Sequence, residues 1–301
     1  MLFEEAYFKY LSYLKLKVKP QSYNKIKNRF KNSIMEYFKN KKISDINEEN
    51  ILLWQIEIEK KGFSYSYKKT LYFSLVGFYN FLIKFNYIEK NIVKNVGNFK
   101  NVYELKKDID FFTYEEYKKF IDVIDNDLYK LLFEFLFFTG VRLGEALALK
   151  NSDVLEDKII INKTISKECF NGNRIITNPK TKKSIRTIQI DNILKQKLEK
   201  HKKKNISNES FLFGDTKPLS PSTIERYKNK YCKIANVKQI RIHDFRHSHA
   251  TLLIYNNVPI QDISKRLGHA NVSTTLDVYT HVIEDKEKRV INTLNKIRLS
   301  N

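Results

Sequence analysis

The hydrophobic period of this chain changes once in its length, and that change narrows the folds open to it. Up to about residue 150 apolar side chains recur every three or four positions, the spacing of one face of a helix. Between Lys158 and Ile190 the pattern gives way to β-branched runs: Lys158-Ile159-Ile160-Ile161, Arg174-Ile175-Ile176-Thr177 and Ser184 to Ile190. Asn171-Gly172-Asn173 and Pro179 to Lys183 separate them, as turns would. Helical spacing then returns to the end. The simplest account is a mainly α protein with one small antiparallel sheet of three strands and two turns.

The helical part before the switch divides in two. Phe3, Tyr7, Tyr10, Leu11 and Leu14 form a first apolar stripe, which Lys19-Pro20 ends. Tyr23, Ile26, Phe30, Ile34, Tyr37 and Phe38 form a second. Asn47-Glu48-Glu49-Asn50 opens a third helix with an acidic first turn, and Ser66 to Phe85 is a fourth, rich in aromatic residues. With no strand-like alternation, residues 1–98 read as a helical bundle. Residues 91 to 110 carry five asparagine or glycine residues among lysines, which is linker chemistry, and the linker proper is placed at 99–110. Ten extended residues span about 33 Å, so two domains joined this way could grip opposite sides of one partner. The second domain, 111–301, opens on Thr113-Tyr114-Glu115-Glu116, a capping box preceded by Phe111 and Phe112. Asp127 to Phe138 is a buried helix stopped by Thr139-Gly140, and a short helix carries Gly144 to Leu149. After the strands, helices are expected from Asp191, Ser220-Pro221, the vicinity of His243, and Pro259, the last ending at Gly268.

A formal charge of +21 implies a polyanionic partner, nucleic acid before membrane. AT-rich coding, which favours Lys, Asn and Ile, is the competing explanation for part of it. Only ten of the 55 basic residues are arginine, the better bidentate ligand for phosphate, so each arginine merits separate inspection. Two cysteines, Cys169 and Cys232, are too few for a disulfide framework and lack metal-ligand spacing. The longest apolar run, Leu131 to Val141, contains Glu134 and falls short of the ~20 residues that span a bilayer. A reducing cytoplasm is the expected setting, with no membrane partner.

The residues able to carry chemistry concentrate late in the chain. On a helix, His243, Arg246 and His247 lie at i, i+3 and i+4 and share a face, with Phe245, His249 and Leu252 opposite. Two imidazoles and a guanidinium are costly to hold together unless they meet an anion. The same pentapeptide superficially matches a zinc-protease helix, but Asp244 replaces the glutamate base, Arg246 adds a cation, and no third ligand is evident. His249 reads as a core histidine. Arg142 stands between a buried helix and the next one, with Glu145 as a partner three residues on. Lys180 lies in the turn Asn178 to Lys183, His269 follows Gly268, and Tyr279 sits in a segment polar for a core position. A solvated turn, a cap and a core phenol are the ordinary readings of these residues taken singly. Together Arg142, Lys180, His243, Arg246, His269 and Tyr279 make up what phosphoryl transfer needs without a metal. Two arginines neutralise the transition-state oxygens, a phenol attacks, and a lysine protonates the leaving alkoxide.

The motifs Thr-Gly-Val-Arg142-Leu-Gly-Glu, His243-Asp-Phe-Arg246-His, Leu-Gly-His269 and Val-Tyr279-Thr-His, in that order, resemble the tyrosine recombinase (phage integrase) family. The resemblance covers the second domain and extends to the first, which looks like the family's helical, SAM-like core-binding domain. It implies that Tyr279 attacks a DNA phosphate to form a 3′-phosphotyrosyl intermediate and free a 5′-hydroxyl. Arg142 and Arg246 would clamp the phosphate, with His243 and His269 as base and hydrogen-bond donor. Lys180 would be the general acid, with Lys182 and Lys183 in the same turn as alternatives. Neither ATP nor an obligatory metal or other cofactor is expected. The implied partners are double-stranded DNA with paired recombination sites, held in a C-shaped clamp, and further copies of the chain in a tetramer that passes through a Holliday junction. Accessory directionality factors could join them. The tail from Val282 to Asn301 could dock on a neighbouring protomer or pack on its own. The chain begins in the core-binding region, as an Xer-type or short phage or transposon integrase would. Two alternatives stay open: a type IB topoisomerase-like relaxing enzyme, and a non-catalytic DNA-binding regulator.

Overall fold

A computed structural model describes residues 1–100, 110–170, 173–177, 185–204, 207–269 and parts of 271–298. The chain divides into two compact units, Met1–Lys107 and Asp108–Asn301.

The first unit is helical throughout its described residues: α1 (Phe3–Lys17), α2 (Pro20–Arg29), α3 (Met35–Phe38), α4 (Glu48–Lys60), α5 (Tyr65–Lys84) and α6 (Ile92–Val96). Pro20 opens α2 where its missing N–H is no loss. Between α2 and α3 the chain makes a π turn, Phe30–Ile34. The Ser33 carbonyl in that turn accepts the indole N–H of Trp54 at 2.9 Å, tying the irregular backbone to α4. Phe3, Phe30, Phe38 and Phe78 are fully buried around it, with Phe3 4.8 Å from Phe78 and 5.2 Å from Phe38 between ring centres. Burying each such ring is worth roughly 1.5–3 kcal/mol, so this aromatic cluster is a substantial part of the unit's core.

The stretch from Asn91 to Asn98 has linker composition, yet it folds into the first unit, within the expected bundle of residues 1–98, and Phe99, the first residue of the expected linker, packs there with it. Asn91 is the N-cap of α6, and its amide also donates to the Val76 carbonyl at 3.2 Å and to Asn80 Oδ1 at 2.8 Å. Ile92, Val93 and Phe99 are buried, Phe99 lying 5.7 Å from the Trp54 ring. Asparagine here caps a helix, and composition does not distinguish that use from a loop. Residues 101–109, the rest of the expected linker, lie outside the described residues.

The second unit begins with α7 (Tyr114–Asp122), closed by the expected capping box: Thr113 Oγ1 accepts from Glu116 N, and Glu116 Oε2 from Thr113 N. Next come α8 (Asp127–Thr139) and α9 (Leu143–Ala148). After the strands follow α10 (Asn192–Lys204), α11 (Pro221–Ile234), α12 (Asp244–Tyr255) and α13 (Ile260–Leu267). Phe112, Phe120, Phe133 and Phe245 form the centre of the core, the last two nearly parallel at 5.5 Å. Ser248 on α12 accepts the Phe112 N–H at 2.9 Å, which joins the start of the unit to the helix of the His-Arg motif.

The strands depart from the expected single sheet. Among the described residues there are four, in two antiparallel pairs: β1 (Lys158–Ile161) with β4 (Arg186–Gln189), and β2 (Thr164–Phe170) with β3 (Asn173–Thr177). Ile159 faces Ile188 in the first pair, and Ile165 faces Ile176 in the second. Strand β2 escapes a search for β-branched runs because Ser166, Lys167 and Glu168 interrupt its apolar residues. The outer pair buries Ile159, Ile161 and Ile188 in the core, and the inner pair adds Ile165. Among the described residues no helix is long and apolar enough to cross a membrane. Of the tail's apolar face, Leu294 and Ile297 are exposed, and Val290 lies outside the described residues.

Gly140 ends α8 in the left-handed region, φ +66°. A Cβ there would stand 2.5 Å from the His249 ring and 2.9 Å from Leu267. Gly140→Ala is therefore expected to cost roughly 2–4 kcal/mol, from the strained backbone and the overpacked contact together. Urea unfolding within 0.5 kcal/mol of the parent (roughly the size of an ordinary surface change) would contradict the tight packing of this turn.

Candidate active site

Arg142, the His243–Arg246 segment and His269 come from three separate stretches of the sequence and converge in the second unit. The turn at Gly140 reverses the chain so that Arg142 falls at the N-cap of α9. Its guanidinium meets Glu145 Oε1 at 2.9 Å, and its backbone N–H donates to Glu145 Oε2 at 3.0 Å, so the expected in-chain pair forms. The Arg142 side chain remains 39% exposed while Glu145 is only 4% exposed. One face of this guanidinium is anchored and the other is open to a ligand.

Arg246 is held differently. On α12 and only 3% exposed, it donates from Nη1 to the Gly140 carbonyl at 2.9 Å and from Nη2 to the Leu267 carbonyl at 2.8 Å. Both acceptors lie at helix C-terminal ends, those of α8 and α13, where carbonyl dipoles carry partial negative charge. Two of the donors of this buried cation are thus met by helix-end carbonyls. The same two bonds join the turn that presents Arg142 to the turn that presents His269.

Arg266 braces the other side. It donates to the Phe138 carbonyl at 3.1 Å, the Gln189 carbonyl at 3.0 Å and His249 Nε2 at 3.1 Å. His249 in turn contacts the Phe137 carbonyl through Nδ1 at 2.8 Å. The expectation of a satisfied core histidine holds.

His243 and His247 stand one turn apart on α12 with their rings edge to face, 5.2 Å between centres. Burial pushes the His243 pKa below its ordinary value, and Arg246 and Arg142 push it further. His247 is held down to about 4 by burial and then by His243. His269 is also held down to about 4, by burial and then by Arg246 and Arg142. Its Nδ1 lies 2.8 Å from Thr275 Oγ1, a fully buried hydroxyl. At neutral pH these imidazoles are uncharged and able to accept or donate a proton. Asp244, 1% exposed, receives the Arg241 guanidinium on both oxygens, at 2.8 Å and 3.0 Å, and so serves the helix start; it is not a ligand to the cluster.

Lys180, with Lys182 and Lys183, and Tyr279 lie outside the described residues. Sequence reasoning missed Arg186. It sits on β4 two residues before the buried Ile188, hence on the same inward face of the strand. A guanidinium on the core side of a strand was the available signal. Thr275, the partner of His269, gave none.

Comparison with known proteins follows the same lines. Residues 110–286 match the model of the phage integrase family, and residues 2–58 match its N-terminal SAM-like domain. The ICEBs1 integrase of Bacillus subtilis (strain 168) is 32% identical, over 96% of this chain and 81% of that protein. A XerC-like tyrosine recombinase of Caldanaerobacter subterraneus is 30% identical, over 93% and 78%. In fold the chain is similar to the Tn1549 transposon integrase in complex with transposon right end DNA, with a TM-score of 0.77, 19% identity and coverage of 97% and 100%. It is also similar to a lambda integrase tetramer bound to a Holliday junction, with a TM-score of 0.66, 18% identity and coverage of 90% and 78%. An exposed arginine beside a buried one, ringed by neutral imidazoles, is set in a chain that these matches cover almost end to end: it belongs to the phage integrase family of tyrosine recombinases.

Proposed function

We propose that this chain cuts and rejoins double-stranded DNA at paired sites, with Tyr279 as nucleophile. The observation that carries the reading is the pair of arginines, Arg246 buried and fixed and Arg142 anchored with an open face, beside three imidazoles that are neutral at pH 7. Preorganised donors of this kind stabilise the charge that grows on the non-bridging oxygens of a phosphoryl transition state.

In the proposed step the Tyr279 oxygen bonds to phosphorus as the bond from phosphorus to the 5′ oxygen breaks. The phenolic proton passes to His243, the departing 5′ oxygen takes a proton from Lys180, and His269 donates a hydrogen bond to the phosphate. The product is a 3′-phosphotyrosyl link and a free 5′-hydroxyl. Attack by the 5′-hydroxyl of a partner strand reverses the chemistry and rejoins the DNA. No nucleotide is consumed, because the phosphodiester energy is kept in the covalent link. Two strand exchanges in sequence would pass through a Holliday junction within a homotetramer. This is work for the cytoplasm, with accessory factors setting direction, in the integration or excision of a mobile element or in Xer-type resolution. The high positive charge of the chain supports a DNA partner.

The test uses a duplex selected from a randomised library by binding to the purified protein, then nicked near the cleavage position to trap the intermediate. Wild-type protein is expected to leave a protease-sensitive adduct and Tyr279→Phe none. Equal behaviour of the two would sink the catalytic reading. Replacement of Arg246 by Gln should slow adduct formation by about 10²–10³-fold, the value of one preorganised donor.

The imidazoles supply a separate expectation. His247 and His269 titrate near 4 when folded against about 6.5 when unfolded. The unfolded chain therefore binds more protons in that window, and stability is fully present above pH 6.5 and falls as pH drops toward 4. Histidine resonances followed by NMR in the DNA-free protein should show both rings neutral at pH 6. Midpoints above 6 for both would contradict the burial of the cluster.

A further inference from the structure

Arg186 is a nearly buried guanidinium that the reaction above does not use, and its contacts lead to the residue that does. Its Nη2 lies 3.0 Å from Glu145 Oε2 and its Nη1 3.3 Å from Glu145 Oε1. The opposite edge, Nε, donates to the Arg266 carbonyl at 2.9 Å, in the last turn of α13. Glu145 therefore sits between two arginines, Arg186 at 7% exposure on the inside and Arg142 at 39% on the outside.

The charge balance of this trio has a consequence for Arg142. Glu145 alone with Arg142 would form a neutral pair, and a buried carboxylate 2.9 Å from the guanidinium would offset much of its attraction for a phosphate. Arg186 supplies the second positive charge, so the trio carries a net positive charge whose exposed end is Arg142. Geometry adds to charge. With both carboxylate oxygens engaged on the Arg186 side, Glu145 has one orientation, and Arg142 inherits it. Gly268 leaves room for this side chain: a Cβ there would stand 3.0 Å from Arg186 Cδ and 3.2 Å from its Nε. Lysine cannot reproduce the arrangement, because a single ammonium lacks the planar fork that reaches a carboxylate and a carbonyl on opposite edges.

We propose that Arg186 is a positioning residue for strand cleavage: through Glu145 it orients Arg142 and preserves the positive charge that Arg142 brings to the scissile phosphate. This rests on the proposed recombinase reading. The competing role is a plain brace between β4 and α13, which would leave Arg142 unaffected.

The full-length protein, on the nicked duplex described above, separates these. Two substrates are compared, one with the ordinary phosphodiester and one with a methylphosphonate at the scissile position, which removes the negative charge that Arg142 would meet. Arg186→Met is expected to form the adduct about 100-fold more slowly on the phosphodiester, the scale of a misplaced catalytic group, with DNA affinity little changed. On the methylphosphonate the deficit should shrink to about tenfold or less, because the stabilised charge is no longer there. Arg186→Lys, which keeps the charge and hence a compensated Glu145, should fall between Arg186→Met and wild type, and it carries the test if the methionine variant does not fold. Wild-type speed in both variants overturns the proposal. So does an equal deficit on both substrates, which would assign Arg186 to the brace alone. Absence of an adduct from wild-type protein is a different result, and it removes the recombinase reading itself.

Discussion

The second unit depends on one buried guanidinium held by two helix ends. Arg246 takes the carbonyls of Gly140 and Leu267, which close α8 and α13. Each helix end has carbonyls without intrahelical partners, and a buried arginine has donors that must be met. Each need answers the other across these two bonds. The same bonds fix the distance between the Arg142 turn and the His269 turn.

Around that centre the molecule uses arginines in graded exposure. Arg266 ties α13 to the end of α8 and to β4. Arg186 reaches the same helix end and turns its charged face to Glu145. Arg142 is the outermost, with Glu145 behind it. Burial alone would push the Glu145 carboxyl up, but Arg186 and Arg142 hold it below its usual range. The cluster therefore stays ionised inside and presents positive charge outside, beside imidazoles kept neutral by burial and by the same arginines. Scaffold and chemistry share the same side chains.

Much of this is legible in the sequence. Helical periodicity located most helices to within a few residues, and the Thr113 capping box and the Gly140 and Gly268 stops were readable because each depends on local backbone demands. The failures were of one kind. Asparagines at 91–98 resembled a linker because capping and looping use the same residue. Strand β2 was missed, and the single expected sheet became two pairs, because pairing between β1 and β4 is decided by burial of Ile159 and Ile188 at long range. Arg186 passed unnoticed because its partners, Glu145 and the Arg266 carbonyl, are 41 and 80 positions away.

Residue order alone sets which chemistry is available: the ordered set of arginines, histidines, lysine and tyrosine, the polyanionic partner implied by charge, and the places where the helices start and stop. These follow from residue type and from spacings of three or four, which local physics interprets. The tertiary structure decided which arginine is buried and which is open, which carboxylate lies between two cations, and which histidines lose their affinity for protons. Those properties belong to distances between distant segments and to exclusion of water, and neither is written in any short stretch of the chain.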